Sequence, residues 1–220
     1  MAEASIIIPF IKRWEGGLSK DPKDTASKNP APCSYNGVVG YHTNKGITYT
    51  TFTTLAKPLK YVDSCDNFFA MPDDIFLKIF KNGYWQFFDL DNYKSQQIAN
   101  LIVSWCWASG NYGAYKQIKK FLETNYKIVF TQSHSQNIEL IKNFFNSLPG
   151  TDENKIYNKL VQYYKDYYTS LNQPTFIHGW LNRVNDLVDF SGIVTTVKKN
   201  PLKTIALLGI TTAIIYKVAK

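Results

Sequence analysis

Histidine and cysteine are scarce in this sequence, and their scarcity removes several chemistries at once. Only His42, His134 and His178 occur, none in an H-E-x-x-H arrangement or a closed Cys/His spacing, so a zinc amidase or endopeptidase has no ligand set to use. Cys33, Cys65 and Cys106 do not make a disulfide framework, and an odd count leaves at least one thiol free. A Cys33–Cys65 pair stays open at this level, and no signature supports a Cys–His peptidase built on Cys33 or Cys106. Cys106 lies in the apolar run LIVSWCWA, where a buried structural thiol is expected rather than a nucleophile. Glycine-rich phosphate loops, internal repeats and low-complexity segments are absent. The amino end, MAEASIIIPFIKRWE, has an early acidic residue and only a short apolar run, so it does not read as a secretory signal and cytosolic synthesis is expected.

Aromatic side chains and positive charge are plentiful. Aromatics make up 15% of the 220 residues, which argues for a globular core rather than disorder. The formal charge of +8 favours an anionic partner, such as nucleic acid, lipid headgroups or the bacterial wall. The lysines are scattered and no zinc-finger or RNA-recognition signature occurs, so nucleic acid is not expected.

Apolar residues recur at helical spacing along much of the chain. Ile7, Phe10, Ile11 and Trp14 mark a first helix, with Ser5 as its expected cap and Gly16-Gly17 as its stop. From Gly16 to Gly46 the period disappears among prolines and glycines, which predicts a long functional loop with at most a short hairpin. Helical faces return at Ile75/Phe76/Ile79/Phe80, Ile98/Leu101/Ile102/Trp105, Ile138/Ile141/Phe145/Leu148, Ile156/Leu160/Tyr163/Tyr164/Tyr167 and Trp180/Leu181/Val184/Leu187/Val188. A mainly α protein is expected. After Lys198, Lys199 and Lys203 comes an uncharged run, Thr204 to Tyr216, followed by Lys217 and Lys220. Apolar all round and flanked by lysines, residues 204–220 read as a membrane-anchor helix behind a basic linker at 191–203, although the run is short for a bilayer core of about 30 Å. The competing reading is a last helix packed on the protein.

The first helix ends at Trp14-Glu15-Gly16-Gly17. A carboxyl there faces the negative end of the helix dipole beside an indole that reduces its hydration, and both effects favour the protonated acid. Such a group can give its proton to a leaving glycosidic oxygen. The plainer alternative is a solvated glutamate before a glycine cap. Asp24 follows nine residues on, within KDPKDT, and His42-Thr43-Asn44-Lys45-Gly46-Ile47-Thr48 closes the loop.

A helix-end Glu, an Asp nine positions later and a Thr at the loop's close resemble the phage-type lysozymes. The fuller set, E-G-G, then D-P-x-D, then T-N-K-G-I-T, resembles glycoside hydrolase family 108, the phage endolysin and bacterial N-acetylmuramidase family. Gly83-Tyr84-Trp85 is similar to that family's G-x-W element, and FIHGWLNRV at Phe176–Val184 is similar to the close of its peptidoglycan-associated C-terminal region. Two departures are visible. The segment between Asp24 and Thr43 is longer than usual, and Ser104-Trp105-Cys106-Trp107-Ala108-Ser109-Gly110 replaces the Asp and Asn that usually precede the glycine.

The resemblance implies a mainly α, lysozyme-like α+β fold: a catalytic region at 1–92 and a helical peptidoglycan-associated region at 93–190. It implies a muramidase cutting the β-1,4 bond between N-acetylmuramic acid and N-acetylglucosamine, with no metal or organic cofactor. Glu15 would be the general acid, with Asp24 and Thr43 holding water on the opposite sugar face, and an inverting course follows. Asp21 is the rival second carboxylate, with an Asx turn at Pro22 as its ordinary role. His42 and Asn44 are candidate substrate-binding or loop-shaping residues. Trp85, Trp107 and Tyr112 are candidates for stacking on sugar, against a core role. The partners implied are bacterial peptidoglycan and, through residues 204–220, a host membrane or a virion. A lytic transglycosylase and a non-catalytic wall-binding or virion protein are the alternatives.

Overall fold

Residues 1–199 are described by the computed structural model; the lysine-flanked run read as an anchor lies outside them. Among the described residues no helix is long and apolar enough to cross a membrane. The chain is mainly helical, with one small three-stranded sheet, and it divides into two compact units. Of the described residues, the first takes Met1–Lys94 with Ile102–Ser147, and the second takes Ser95–Leu101 with 148–199.

In the first unit, helix α1 (Ala4–Trp14) buries Ile7, Phe10 and Ile11, three residues of its anticipated face. Full burial of such a side chain contributes roughly 1.5–3 kcal/mol. Its N-cap is Glu3, without a side-chain cap bond, so Ser5 lies inside the helix instead of capping it. The anticipated loop contains the sheet. Strands β1 (Leu18–Ser19), β2 (Thr43–Asn44) and β3 (Ile47–Thr48) pair antiparallel in that order, with Ser19 opposite Thr43 and Asn44 opposite Ile47. The β2–β3 turn has Lys45 at φ 51° and Gly46 at φ 77°, the two positive angles that a two-residue hairpin turn with the right twist requires. Asn36-Gly37 repeats this device, with Tyr35 and Val38 bonded to each other across it. A Cys33–Cys65 disulfide fastens the loop to helix α3 (Cys65–Phe69).

Helix α2 (Tyr49–Ala56) starts where Thr48 Oγ1 accepts the Thr51 N–H at 3.1 Å. Threonine-rich and weakly periodic, it gave no clear helical signal in the sequence. Helix α4 (Asp73–Phe80) opens with Asp73 and Asp74, which suit the positive end of its dipole, and buries all four residues of its anticipated face. A π-helical turn, Lys81–Trp85, extends it. Helix α5 (Gln96–Ser109) follows; Ile98, Leu101, Ile102 and Trp105 are all buried, as are Val103 and Cys106. Burial pushes the Cys106 thiol far above its ordinary pKa, consistent with a structural role. Helices α6 (Asn111–Tyr126) and α7 (His134–Asn146) complete this unit.

The second unit is built on α8 (Gly150–Ser170) and α9 (Ile177–Lys199). Ile156, Leu160 and Tyr164 of α8 are buried, and the stripe also takes in Tyr157, Val161 and Tyr168. The Tyr164 and Tyr168 hydroxyls meet at 2.7 Å, and the Tyr168 ring stacks on Trp180 at 5.0 Å. Glu153 accepts from Ser95 Oγ at 2.6 Å and Gln97 Nε2 at 2.9 Å, while Asn100 Nδ2 donates to Ser191 Oγ at 3.3 Å. These bonds satisfy polar groups that would otherwise be costly to bury.

Candidate active site

Glu15 is the first residue past α1. Its backbone turns extended, at φ −94° and ψ 126°, while its N–H still closes the helix onto Ile11 O at 3.0 Å. The half-buried side chain packs against the hairpin turn, where a Cβ added to Gly46 would fall 2.7 Å from Glu15 Cδ and 2.8 Å from Cγ. Glycine at 46 is therefore required twice, by the turn's positive φ and by the carboxyl's approach.

The indole bonded to Glu15 is that of Trp107, 92 residues away, whose Nε1 donates to Oε1 at 2.7 Å. The chain neighbour Trp14 does not serve; its own Nε1 is buried without a partner. Trp107 is held by Tyr84 at 4.7 Å, Phe80 at 5.4 Å and Phe76 at 5.8 Å between ring centroids. The indole N–H thus engages Oε1, while Oε2 is the oxygen turned to Gly46.

Tyr84 connects this carboxyl to a groove of about 280 Å³, lined also by Thr50, Thr54, Leu55, Gly83 and Asn111. Burial pushes the Tyr84 phenol up in pKa, and the Glu15 charge adds to that rise.

Thr43 and His42 form a directed pair. His42 is fully buried, with Nε2 at 3.2 Å from Asp21 O and Nδ1 at 2.9 Å from Thr43 Oγ1. A carbonyl can only accept, so in the neutral ring Nε2 carries the hydrogen and Nδ1 accepts from the Thr43 hydroxyl. Thr43 oxygen lone pairs then remain to hold an O–H. With its ring sealed and both nitrogens engaged, His42 shapes the loop and has no face for a saccharide. Asn44 is likewise buried, its amide donating to Phe68 O at 2.6 Å and Phe69 O at 3.2 Å.

Asp21 and Asp24 are both exposed on the loop. Asp21 Oδ1 accepts the Lys23 N–H at 2.9 Å, the Asx turn expected beside Pro22, and Asp24 Oδ1 caps a 3₁₀ turn by accepting the Ala26 N–H at 2.9 Å. Trp85 is fully buried and donates to Asp91 at 2.9 Å, so it is core and cannot be a sugar platform. Tyr112 is 64% exposed, with Phe87 at 5.2 Å and His134 at 5.6 Å. Among the described residues no group of three or more His, Cys, Asp or Glu side chains gathers to hold a metal ion. Trp107 as the partner of Glu15, and Asn111 and the threonines as groove residues, were not singled out from sequence. Contacts of such long chain separation leave no local pattern.

A carboxyl bonded by an indole at a helix end, with Tyr84 between that indole and an uncharged, hydroxyl-bearing groove, suits a glycosidase. Residues 8–110 match the family model described as Glycosyl hydrolase 108. The match runs from α1 through the sheet to the end of α5, and so contains Glu15, Gly46 and Trp107. The solved structure of SagA from Brucella abortus is similar in fold, with a TM-score of 0.57 and 19% identity over 86% of this chain and 92% of that one. No curated protein matches the chain.

Proposed function

We propose that this protein is a peptidoglycan muramidase that hydrolyses the β-1,4 bond between N-acetylmuramic acid and N-acetylglucosamine, with Glu15 as general acid. The observation that carries the reading is the Trp107–Glu15 bond of 2.7 Å, which fixes the carboxyl at the hairpin, with Tyr84 packed between that indole and the groove. Protonated, Glu15 gives its hydrogen to the leaving oxygen as the glycosidic bond breaks and positive charge grows on the ring. Thr43, its own hydrogen directed to His42, accepts an O–H of the attacking water and orients it. Asp24, the carboxylate the family resemblance favours over Asp21, takes the water's other proton; each of the two has its Oδ1 engaged by a loop N–H. The match of residues 8–110 to a glycosyl hydrolase family model supports the reaction class.

The decisive experiment is digestion of purified wall by the wild type and by Glu15→Gln. Removing one general acid lowers turnover by about 10²–10⁴-fold, with wall binding retained. Full residual activity in Glu15→Gln would overturn the assignment, and anhydro-muramyl products would replace hydrolysis by transglycosylation. By family resemblance alone, the setting we infer is phage-driven lysis or wall entry. The lysine-flanked apolar run at 204–220 is proposed to hold the enzyme at a membrane; unchanged membrane fractionation after deletion of 201–220 would refute this.

A further inference from the structure

Residues 20–42, which join β1 to β2, hold little of the fold's core. Among them only Ala31 and His42 are buried. Their regular structure is a 3₁₀ turn at Thr25–Lys28, none of it buried, and the bridge between Tyr35 and Val38. Yet this segment bears Asp21 and Asp24, and the Asp21 carbonyl orients the His42 ring beside Thr43. A stretch that buries so little must be held by something else if it is to keep one conformation. Its fastenings converge on one short helix. Cys33 is bonded to Cys65, the first residue of α3, and the Tyr35 and Tyr41 rings lie 5.1 and 6.3 Å from that of Phe69, its last. The same helix accepts the Asn44 amide at Phe68 O and Phe69 O. The covalent ring that the disulfide closes, with a sequence separation of 32, therefore encloses Thr43 and the Gly46 turn that receives Glu15.

The three cysteines differ in reach. Cys33 and Cys65 are half-buried, whereas Cys106 is sealed in α5, where burial keeps its thiol protonated. Only a thiolate attacks a disulfide, so Cys106 does not exchange with the bond and the pair opens and closes alone. We propose that Cys33–Cys65 is a redox switch for the proposed wall-cleaving site, holding it assembled as the disulfide and releasing its loop as two thiols. What is switched rests on the glycosidase reading. In the opening step a thiolate of an external dithiol attacks one sulfur; the S–S bond breaks, a mixed disulfide forms, and the other cysteine leaves as a thiolate that takes a proton. The dithiol's second sulfur then displaces the remaining cysteine, so two electrons pass to the protein and the dithiol becomes a cyclic disulfide. The reverse exchange, with a disulfide-bearing partner, restores the bond. Freed at Cys33, the loop keeps the two ring contacts on Phe69 as its hold on α3. Asp24, and the Asp21 carbonyl that orients His42, then lose their fixed relation to Glu15, while the buried faces of α1, α4 and α5 are untouched. Disulfides persist in oxidising surroundings and are opened in a reducing cytosol, so the switch favours cleavage outside the membrane.

The test compares the full chain oxidised, reduced with dithiothreitol, and reoxidised with glutathione disulfide. Without denaturant, iodoacetamide is expected to label no cysteine of the oxidised protein, and Cys33 and Cys65 but not Cys106 of the reduced one. On reduction the helical circular dichroism should persist, amide exchange within residues 20–42 should quicken at least about tenfold, and wall turnover should fall about 10–100-fold. Reoxidation should restore both. The double variant Cys33→Ser/Cys65→Ser should match the reduced wild type and ignore dithiothreitol. Equal wall turnover in the two states would overturn the switch and leave the muramidase standing. Loss of the helical signal on reduction would also overturn it, since the bond would then staple the whole fold. Loop exchange that quickens on reduction, in a protein that cleaves wall in neither state, would uphold the redox control of the loop and refute the muramidase.

Discussion

Two indole–carboxyl pairs in the first unit, made of the same chemical groups, are set up for opposite purposes. At the end of α4, Trp85 Nε1 donates to Asp91 at 2.9 Å, Gln86 Nε2 adds a bond at 2.7 Å, and Lys81 Nζ sits 3.0 Å away. Burial would raise the Asp91 pKa, but the bonds from Lys81, Trp85 and Gln86 outweigh it and hold this carboxyl below its ordinary value. It is an anionic staple. At the end of α1, Trp107 makes the shorter bond to Glu15, whose other oxygen is turned to a glycine in a hairpin. An indole bond is thus neutral as to role; what surrounds the remaining carboxyl oxygen decides whether it fastens the fold or works at its surface.

Exchanging the acids for their amides breaks the comparison most sharply. Glu15→Gln should cost about 10²–10⁴-fold in wall turnover with little change in melting temperature. Asp91→Asn should leave specific activity of the folded fraction near wild type while lowering the melting temperature; calorimetry beside turbidity assays of wall separates the two. If Asp91→Asn were the more damaging to turnover, the division of roles would be wrong.

Gly46→Ala comes next. It forces an L side chain to φ 77° and drives a methyl into Glu15, at a cost of about 1–3 kcal/mol for the backbone alone. Displacing the acid by about 1 Å is expected to lower turnover about 10²-fold. Thr43, an equally close neighbour of the turn without that contact, serves as the control for stability: Thr43→Ser should fold as wild type.

The indoles sharpen the contrast at a smaller scale. Trp107→Phe keeps the ring packing on Tyr84 and Phe80 but removes the N–H, so kcat should fall about tenfold with stability changed by under about 1 kcal/mol. Trp85→Phe removes one of three donors from Asp91, which is about a third exposed, and should cost about 0.5–1.5 kcal/mol of stability without altering kcat.

The smallest effect is in pH. Asp91 and Asp73 both have lowered carboxyl pKa values, Asp73 chiefly through the hydrogen bond from Lys12, with Lys45 adding to it. A group whose folded pKa lies below its unfolded one stabilises fully above the unfolded value, near 3.8 here, and loses that contribution as pH falls through the folded value. Thermal unfolding should therefore show a decline beginning near pH 4 that is shallower in Asp91→Asn. A decline of equal steepness would remove Asp91 from the account.

Much of the fold was legible because burial writes a period into the chain. The faces of α4 and α5 were recovered whole, and those of α1 and α8 in most positions. Helix α2 was hidden, since its four threonines blur the apolar stripe, and of the sheet only a short hairpin in the loop was anticipated, because strands of two residues have no alternation to read. Within the site, Glu15 was marked by its place at a helix stop, and Asp21's turn by the following proline. His42, Asn44 and Trp85 were offered as sugar contacts, but the fold seals all three. A residue type and its motif do not report which side of a surface the side chain ends on.

By itself the sequence determined the helical class, the end of α1 where a glutamate precedes two glycines, and the family signature around it, because each is written in residues close together in the chain. Only the tertiary structure decided that Trp107 rather than Trp14 holds that glutamate, that Gly46 receives it, and that Asn111 lines the groove. Those pairings join residues 31 to 96 positions from Glu15, and at such separations nothing but packing determines which polar groups meet.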